Sequence, residues 1–569
     1  MSYTDFSTRF HAHFTRSANE RVFLGVQTDL GSLPDPSESE AQARLADARQ
    51  LLGDVDGVRA TVRGDFSKEL DLDLAAMRLE GEILEFTRTF NGRTRRAQLP
   101  HAGDDIGDGM FALFINDPRP DDERLENIAD RLEAVPAYLD ALRTCLDTPV
   151  TRWAAIDQEK VEGLPHMFAT LENWAGEVGW ADAPRLSKAR AAAEASLASY
   201  KTWLAAQPTE DNLHVGRETA AQIIKLRGID LSIDELHGIA TEFLARTRGQ
   251  IAELGARLAA KYELGDASVE EVEQFLNQRY KVQVTGGDTS KVLERYREER
   301  RRIRAFIEER DLFPIFEGED LAILQTPKFM EPSIPAGAMV PPPPFREGTR
   351  RSLVYLTLSE ALMDEHTDLS IPSMMIHEGI PGHHLHLATA GIHESVIRRH
   401  CEAMDQAEGW TTMLEDYMLD VGYMGELEDE ARFVGKRDIS RLGARVAIDL
   451  FFMTGERDLL DVGVDADIAQ ADPFGAAGSL LTAVTGFVPG RVKAELNWYS
   501  QERGYPLSYL TGNHLVWALK RDVETAQAGK LSGLELDRRF HATYLDAGNM
   551  PVRYLRRVYE HVGLLPSAR

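Results

Sequence analysis

The chain of 569 residues is 43% hydrophobic and 27% charged, a globular composition that excludes a mostly disordered or fibrous protein. Its formal net charge of −28 argues against a nucleic-acid or acidic-membrane partner, because such polyanions would be repelled. Two cysteines, no stretch near the roughly 20 apolar residues of a membrane span and a start without signal-peptide regions together predict a cytoplasmic protein with no membrane partner.

Helical periodicity dominates the chain. Ser232 and Ser268 each begin a capping box, with a glutamate three residues further on. Gly286 and Gly287 predict a turn. Apolar residues recur at three- and four-residue spacing between charged ones over residues 40–52, 121–146, 186–206 and 233–262. The sequence therefore predicts a mainly α protein.

Strand signals are few. Residues 352–358 carry branched and aromatic side chains after a run of four prolines, which predicts a short strand at the edge of a small sheet or hairpin. A boundary at residues 211–216 predicts an N-terminal helical lobe over residues 1–210 and a site-bearing helical lobe over residues 211–569. We expect the two lobes to share one core.

The candidate metal-binding and catalytic residues lie mainly between Met375 and His386. This segment, Met-Ile-His-Glu-Gly-Ile-Pro-Gly-His-His-Leu-His, holds four of the sixteen histidines. The zinc-peptidase motif H-E-x-x-H places two histidines on one helix face and uses the glutamate as a base that activates water. Here Pro381 stands where the second histidine would be, so the motif fails as written.

An inserted Pro-Gly pair can restore that geometry. On an undistorted helix, His383 would lie about 120° away from His377, and His384 would lie about 10.5 Å further along the axis. Pro381 removes an amide and Gly382 tolerates unusual backbone, so the two residues can form a bulge. We predict that His383 then joins His377 as a metal ligand, with His384 as the alternative.

A third ligand is expected from a neighbouring helix. Glu408 follows His383 by 25 residues, which is enough for one helix to end and another to return. Two imidazoles and a glutamate form a typical catalytic zinc site. Glu415 lies two turns beyond Glu408 and is a candidate acceptor for the N–H group of a ligand histidine.

The pattern resembles a bacterial family known as domain of unknown function 885. Residues 377–384 match its signature H-E-x-x-P-G-H-H in full. Its motif E-G-W-A-L-Y-A-E resembles residues 408–415, P-G-Q-A-L-S-Y-K resembles residues 503–510, and F-H-x-x-L-L-x-x-G-x-x-P resembles residues 540–551. The resemblance covers about residues 210–560, and the N-terminal part is compatible with it.

That family is thought to be related to gluzincin peptidases such as carboxypeptidase Taq, angiotensin-converting enzyme and thimet oligopeptidase. The resemblance implies a helical zinc-peptidase-like fold with a deep central cleft and one zinc ion per chain, held by His377, His383 and Glu408. It implies Glu378 as the general base and Tyr509 as the donor to the developing oxyanion. The implied substrate is a peptide or a small amide.

Several positions depart from the family pattern where substrate recognition is expected. Arg503 replaces proline, Tyr505 replaces glutamine and Met413 replaces tyrosine, while Trp498 stands where the family has arginine. Hydrolysis of an amide by metal-activated water is the leading hypothesis. The alternatives are a zinc-dependent hydrolase or lyase acting on a small specialised metabolite, and a catalytically inert helical binding protein.

Overall fold

A computed structural model describes residues 1–284, 288–326, 337–348, 350–358, 363 and 366–567. The described chain is mostly helical with a small amount of sheet, which confirms the mainly α prediction. Its helices, in chain order, are α1 (Tyr3–Phe14), α2 (Ala18–Leu24), α3 (Glu38–Thr61), α4 (Phe66–Thr87), α5 (Arg95–Gln98), α6 (Ala102–Ile115), α7 (Asp121–Cys145), α8 (Thr151–Glu177), α9 (Ala183–Ala205), α10 (Arg217–Leu226), α11 (Ile233–Lys261), α12 (Val269–Tyr280), α13 (Ser290–Arg310), α14 (Ser370–Glu378), α15 (His383–Ala390), α16 (Val396–Arg399), α17 (Met404–Asp420), α18 (Glu428–Ile439), α19 (Arg441–Thr454), α20 (Pro473–Thr485), α21 (Pro489–Gln501), α22 (Ser508–Gln527), α23 (Gly533–Asp546) and α24 (Val552–His561).

The chain divides into two compact units. The N-terminal unit comprises Met1–Val215 with Pro343–Glu347 and Ser395–His400, and so contains α1 to α9 and α16. The remaining helices belong to the C-terminal unit, which comprises Gly216–Pro342, Gly348–Glu394 and Cys401–Arg569. The predicted boundary at residues 210 and 211 lies close to the one between Val215 and Gly216.

The four helices predicted from periodicity correspond to α3, α7, α9 and α11. Both predicted capping boxes are present: the side chain of Ser232 accepts from the amide of Glu235, and Ser268 does the same for Glu271. Each cap satisfies amides that the first helical turn leaves without partners. The turn predicted at Gly286 and Gly287 lies outside the described residues.

In the described part of the chain, the strands form two small sheets: β1 (Thr89–Phe90) with β2 (Arg93–Thr94), and β3 (Asp320–Gln325), β4 (Gly337–Val340) and β5 (Arg351–Leu356) in the order β3-β5-β4. β5 runs parallel to β3 and antiparallel to β4. The position of the predicted strand is confirmed by β5. The expectation that it would be an edge strand is wrong, since β5 lies between β3 and β4. Five of its six residues are buried, which explains its nearly continuous apolar sequence.

The C-terminal unit contains a cluster of buried aromatic rings from α17, α23 and Phe313. Trp410 stacks on Tyr544 with ring centroids 4.3 Å apart, and His541 stacks on Phe313 at 4.1 Å. These buried rings hold α17 and α23 in place through large apolar contacts. Across the described ranges, none of the helices combines the length and apolarity that a membrane span requires.

Candidate metal centre

The His-Glu-Gly-Ile-Pro-Gly-His-His segment forms the end of one helix and the beginning of another. α14 ends at Glu378, and α15 begins at His383. The predicted bulge within one continuous helix is therefore a complete break over residues 379–382. Pro381 lacks an amide donor, and the residue before a proline is driven away from helical backbone angles, so the helix cannot continue through Ile380.

Gly382 lets the broken chain fold back against α14. A Cβ atom at this position would lie 2.0 Å from the carbonyl oxygen of His377 and 2.2 Å from that of Ile376. Only glycine permits so close an approach of backbone to backbone. As a result, the imidazole of His383 lies next to that of His377, with ring centroids 4.9 Å apart and nearly perpendicular planes.

Glu408 on α17 faces both imidazoles. Its Oε2 atom lies 3.3 Å from Nε2 of His383 and 3.7 Å from Nε2 of His377. One potential ligand atom from each of these three residues lies within 4.8 Å of the other two. The three side chains that sequence predicted as ligands therefore converge on one point.

Two contacts fix α17 in this position. The indole nitrogen of Trp410 donates to the carbonyl oxygen of Pro381 at 2.9 Å, which ties α17 to the helix break. On the other side, Gly409 packs directly against Gly512 of α22. A Cβ atom on Gly409 would lie 2.5 Å from the backbone of Gly512. This close packing places α22 beside Glu408.

The donor set fits a zinc ion. Two imidazole nitrogens and one carboxylate form a common catalytic zinc site that leaves a coordination position open. Oε2 of Glu408 is buried and makes no hydrogen bond with the described residues. An ionised oxygen without such a partner is costly to bury, and a cation at this point would compensate for it.

The charges of the cluster reinforce one another. Burial alone would raise the pKa of Glu408, but the facing imidazoles of His383 and His377 lower it. Burial would likewise lower the pKa of His377, yet the neighbouring carboxylates of Glu408 and Glu415 raise it well above its ordinary value. The carboxylates therefore favour a positive charge at this point, which a bound metal ion would supply in place of the proton.

Glu415 lies where sequence placed an acceptor for a ligand histidine. Its Oε1 atom is 2.7 Å from Nδ1 of His377, and its Oε2 atom accepts from the hydroxyl of Ser373 at 3.0 Å. The carboxylate thereby orients the imidazole and directs Nε2 towards Glu408. Glu378, the candidate base, is partly buried and ends α14 directly beside His377.

His384 points away from this cluster. Its Nδ1 atom lies 2.6 Å from the hydroxyl of Ser352, and its Nε2 atom lies 2.8 Å from Oε1 of Glu319. Both ring nitrogens are thus engaged with residues near the sheet. The structure therefore places His383, and not the alternative His384, with His377 and Glu408.

The tyrosines predicted from the third motif stand beside Glu408. The hydroxyl of Tyr505 donates to Oε1 of Glu408 at 3.4 Å, and the ring of Tyr509 stacks on that of Tyr505 at 5.9 Å. Burial, together with the negative charge of Glu408, raises the pKa of both hydroxyls, so both remain protonated donors. Arg503 is buried in the loop that precedes Tyr505.

Two residues of α19 support this loop and were missed by sequence reasoning. Asp449 accepts from the amides of Gly504 and Leu507, at 3.1 and 3.0 Å. The guanidinium of Arg445 lies 4.5 Å from the ring centroid of Tyr509. Both are charged residues, four apart, in an otherwise largely apolar helix, and that pattern is the signal that could have identified them.

Comparison with solved structures supports the fold. A candidate lipoprotein of unknown function from Shewanella oneidensis is 18% identical, with a TM-score of 0.76 over 98% of this chain and 99% of that one. A candidate lipoprotein from Colwellia psychrerythraea is 15% identical, with a TM-score of 0.75 and the same coverage. At these identities the likeness concerns the fold alone. Among curated proteins, none matches the chain.

The family prediction is confirmed. The model of the family described as a bacterial protein of unknown function (DUF885) matches residues 19–558. Because the match spans most of the sequence, the chain belongs to this family. It also extends well beyond the coverage that the quoted motifs suggested, and includes most of the N-terminal unit.

Proposed function

We propose that this protein is a zinc-dependent hydrolase that cleaves an amide or peptide bond. The convergence of ligand atoms from His377, His383 and Glu408 within 4.8 Å carries the proposal. A zinc ion held there would polarise a carbonyl group and lower the pKa of a bound water to about 7. The His₂Glu donor set and the buried Oε2 of Glu408 support this choice of metal.

Glu378 is the general base in this proposal. It is adjacent in sequence to the ligand His377 and remains partly accessible, so it can exchange protons with a substrate. Its carboxylate accepts a proton from the attacking water and returns that proton to the leaving amine. The carboxylates of Glu408 and Glu415 are engaged with imidazoles, which leaves Glu378 for this role.

Tyr505 and Tyr509 supply hydroxyl donors on the side of Glu408 that faces α22. A protonated hydroxyl aimed at the developing oxyanion stabilises it by about 3 kcal/mol. We assign this role to Tyr509, while Tyr505 holds Oε1 of Glu408 at 3.4 Å. The relationship to gluzincin peptidases with a deep cleft belongs to the same proposal and is supported by the shared ligand types.

Metal analysis of the purified protein tests the proposal. We expect one zinc ion per chain in the wild type and loss of that zinc in His377→Ala and His383→Ala. The variant His386→Ala, which changes another histidine of α15, should retain the zinc. A screen of short peptides alongside small amides then identifies the substrate class. A metal-free wild type with no activity in this screen would leave only the inert binding protein.

A further inference from the structure

The two candidate histidine ligands are oriented in different ways. The ring of His377 is fixed by the hydrogen bond between its Nδ1 atom and Glu415. The Nδ1 atom of His383 is also buried, yet it has no hydrogen-bond partner within the described ranges. Among the residues that the structure describes, none therefore serves as the usual acceptor that orients the imidazole of His383.

The next residue, His384, is instead held at both ring nitrogens. It lies between the hydroxyl of Ser352 at 2.6 Å and the carboxylate of Glu319 at 2.8 Å, and the side chains of His384 and Glu319 are 0% and 1% exposed. Ser352 is likewise 0% exposed. No substrate can reach this serine, so the arrangement cannot act as a nucleophilic triad despite its hydrogen-bond order.

The partners of His384 belong to the three-stranded sheet of the C-terminal unit and to the residue that precedes it. Glu319 directly precedes β3, and Ser352 lies in β5, the strand that pairs with β3 in parallel. Glu319 is also paired with two arginines of α13, Arg300 and Arg304. Through Ser352 and Glu319, His384 thus anchors the first turn of α15 to the sheet and to α13.

We infer that Ser352, His384 and Glu319 are positioning residues that set the location of His383. The break over residues 379–382 removes the continuous helix that would otherwise relate His383 to His377. Neighbouring Cα atoms are only about 3.8 Å apart, so anchoring the side chain of His384 also fixes the backbone of His383. This inference rests on the proposed metal site and extends it to residues outside the ligand set.

Substitutions of His384 test the inference. His384→Asn keeps an amide near the Nδ1 position facing Ser352, His384→Gln keeps one near the Nε2 position facing Glu319, and His384→Ala keeps neither. Zinc affinity is measured by chelator competition, and the visible spectrum of the Co²⁺-loaded protein reports ligand geometry. We expect His384→Ala to bind zinc about 10- to 100-fold more weakly with an altered Co²⁺ spectrum, and the amide variants to fall between it and wild type.

The matched control is His386→Ala, which removes another fully buried imidazole from α15. It should lower thermal stability while leaving zinc affinity and the Co²⁺ spectrum close to wild type. Equal losses in both alanine variants, or wild-type affinity in His384→Ala, would overturn the positioning role while leaving the metal site intact. If His384→Ala does not fold, Ser352→Ala and Glu319→Gln decide by the same readouts. A wild type that binds no zinc would instead refute the proposed function itself.

Discussion

Nδ1 of His377 lies 2.7 Å from Oε1 of Glu415. With a metal ion bound, this contact would keep a proton on Nδ1, which donates to the carboxylate, and would leave the lone pair of Nε2 for the ion. The same carboxylate, on α17, accepts from Ser373 of α14, which holds its orientation. Glu415 therefore acts on the site through His377 and not as a ligand.

Replacing Glu415 should weaken metal binding without abolishing it. We expect Glu415→Ala to reduce zinc affinity about 10- to 100-fold, since the imidazole loses its orienting acceptor. Glu415→Gln keeps an acceptor oxygen and should lose less, and Ser373→Ala should lose least. Isothermal titration of the metal-free proteins measures this order, and a Glu415→Ala affinity equal to wild type would show that His377 needs no such partner.

Replacing Glu378 should separate catalysis from metal binding. Glu378→Gln preserves size and removes the base, so kcat should fall by at least about 10²- to 10⁴-fold while one zinc ion stays bound. Steady-state kinetics on the best substrate from the peptide and amide screen, with metal content measured on the same sample, checks both parts. Near-normal turnover in Glu378→Gln would assign the base to another group.

Replacing Tyr505 and replacing Tyr509 should change different quantities, zinc affinity and kcat respectively. Tyr509→Phe removes the proposed oxyanion donor, so kcat should fall about 100-fold with little change in zinc affinity. Tyr505→Phe removes the hydroxyl that donates to Glu408, so zinc affinity should fall instead, by about tenfold. Measuring both quantities for both variants distinguishes the roles, and a reversed pattern would exchange the assignments.

The contact between α17 and α22 should not tolerate a side chain. A Cβ atom at Gly512 would lie 2.1 Å from the carbonyl oxygen of Asp405, so Gly512→Ala should destabilise the protein by about 1–3 kcal/mol. Apart from the adjacent backbone of α11, no atom lies within 4 Å of a Cβ atom built on Gly249, and Gly249→Ala should stabilise the protein slightly. Chemical denaturation compares Gly512→Ala with Gly249→Ala. Similar free energies of unfolding for these two variants would mean that α17 and α22 can move apart without a loss of stability.

Asp449 should make stability depend on pH. Burial raises its pKa from 3.8 to about 7, although backbone amides of Gly504 and Leu507 partly oppose the shift. Since the folded state then holds the proton more tightly than the unfolded state, the stability contributed by Asp449 is greatest below about pH 4. That contribution declines as the pH rises to about 7, by about 4 kcal/mol in total.

The matched variant is Asp449→Asn, which cannot ionise at this position. The free energy of unfolding of wild type minus that of Asp449→Asn should therefore decrease between about pH 4.5 and pH 7.5. Urea denaturation of both proteins at these two values measures the difference. A difference that does not change with pH would show that Asp449 stays in one protonation state throughout.

Local chemistry in the sequence predicted much of the fold and the donor types of the site. Hydrophobic spacing and serine caps predicted α11, because both act over a few residues. Pro381 and Gly382 predicted an interruption between the two histidines, because one lacks an amide and the other lacks a Cβ atom. The spacing to Glu408 allowed a returning helix but could not orient it.

Other features depended on contacts between residues far apart in the chain. For example, Ser352 and Glu319 hold the ring of His384 away from His377, and their distance along the chain hides this contact from the sequence pattern. The central position of β5 likewise follows from its pairing with two other strands. The sequence by itself determined the candidate metal-binding groups and their order, whereas only the tertiary structure decided their directions, because a side chain beyond a helix break points where its long-range contacts hold it.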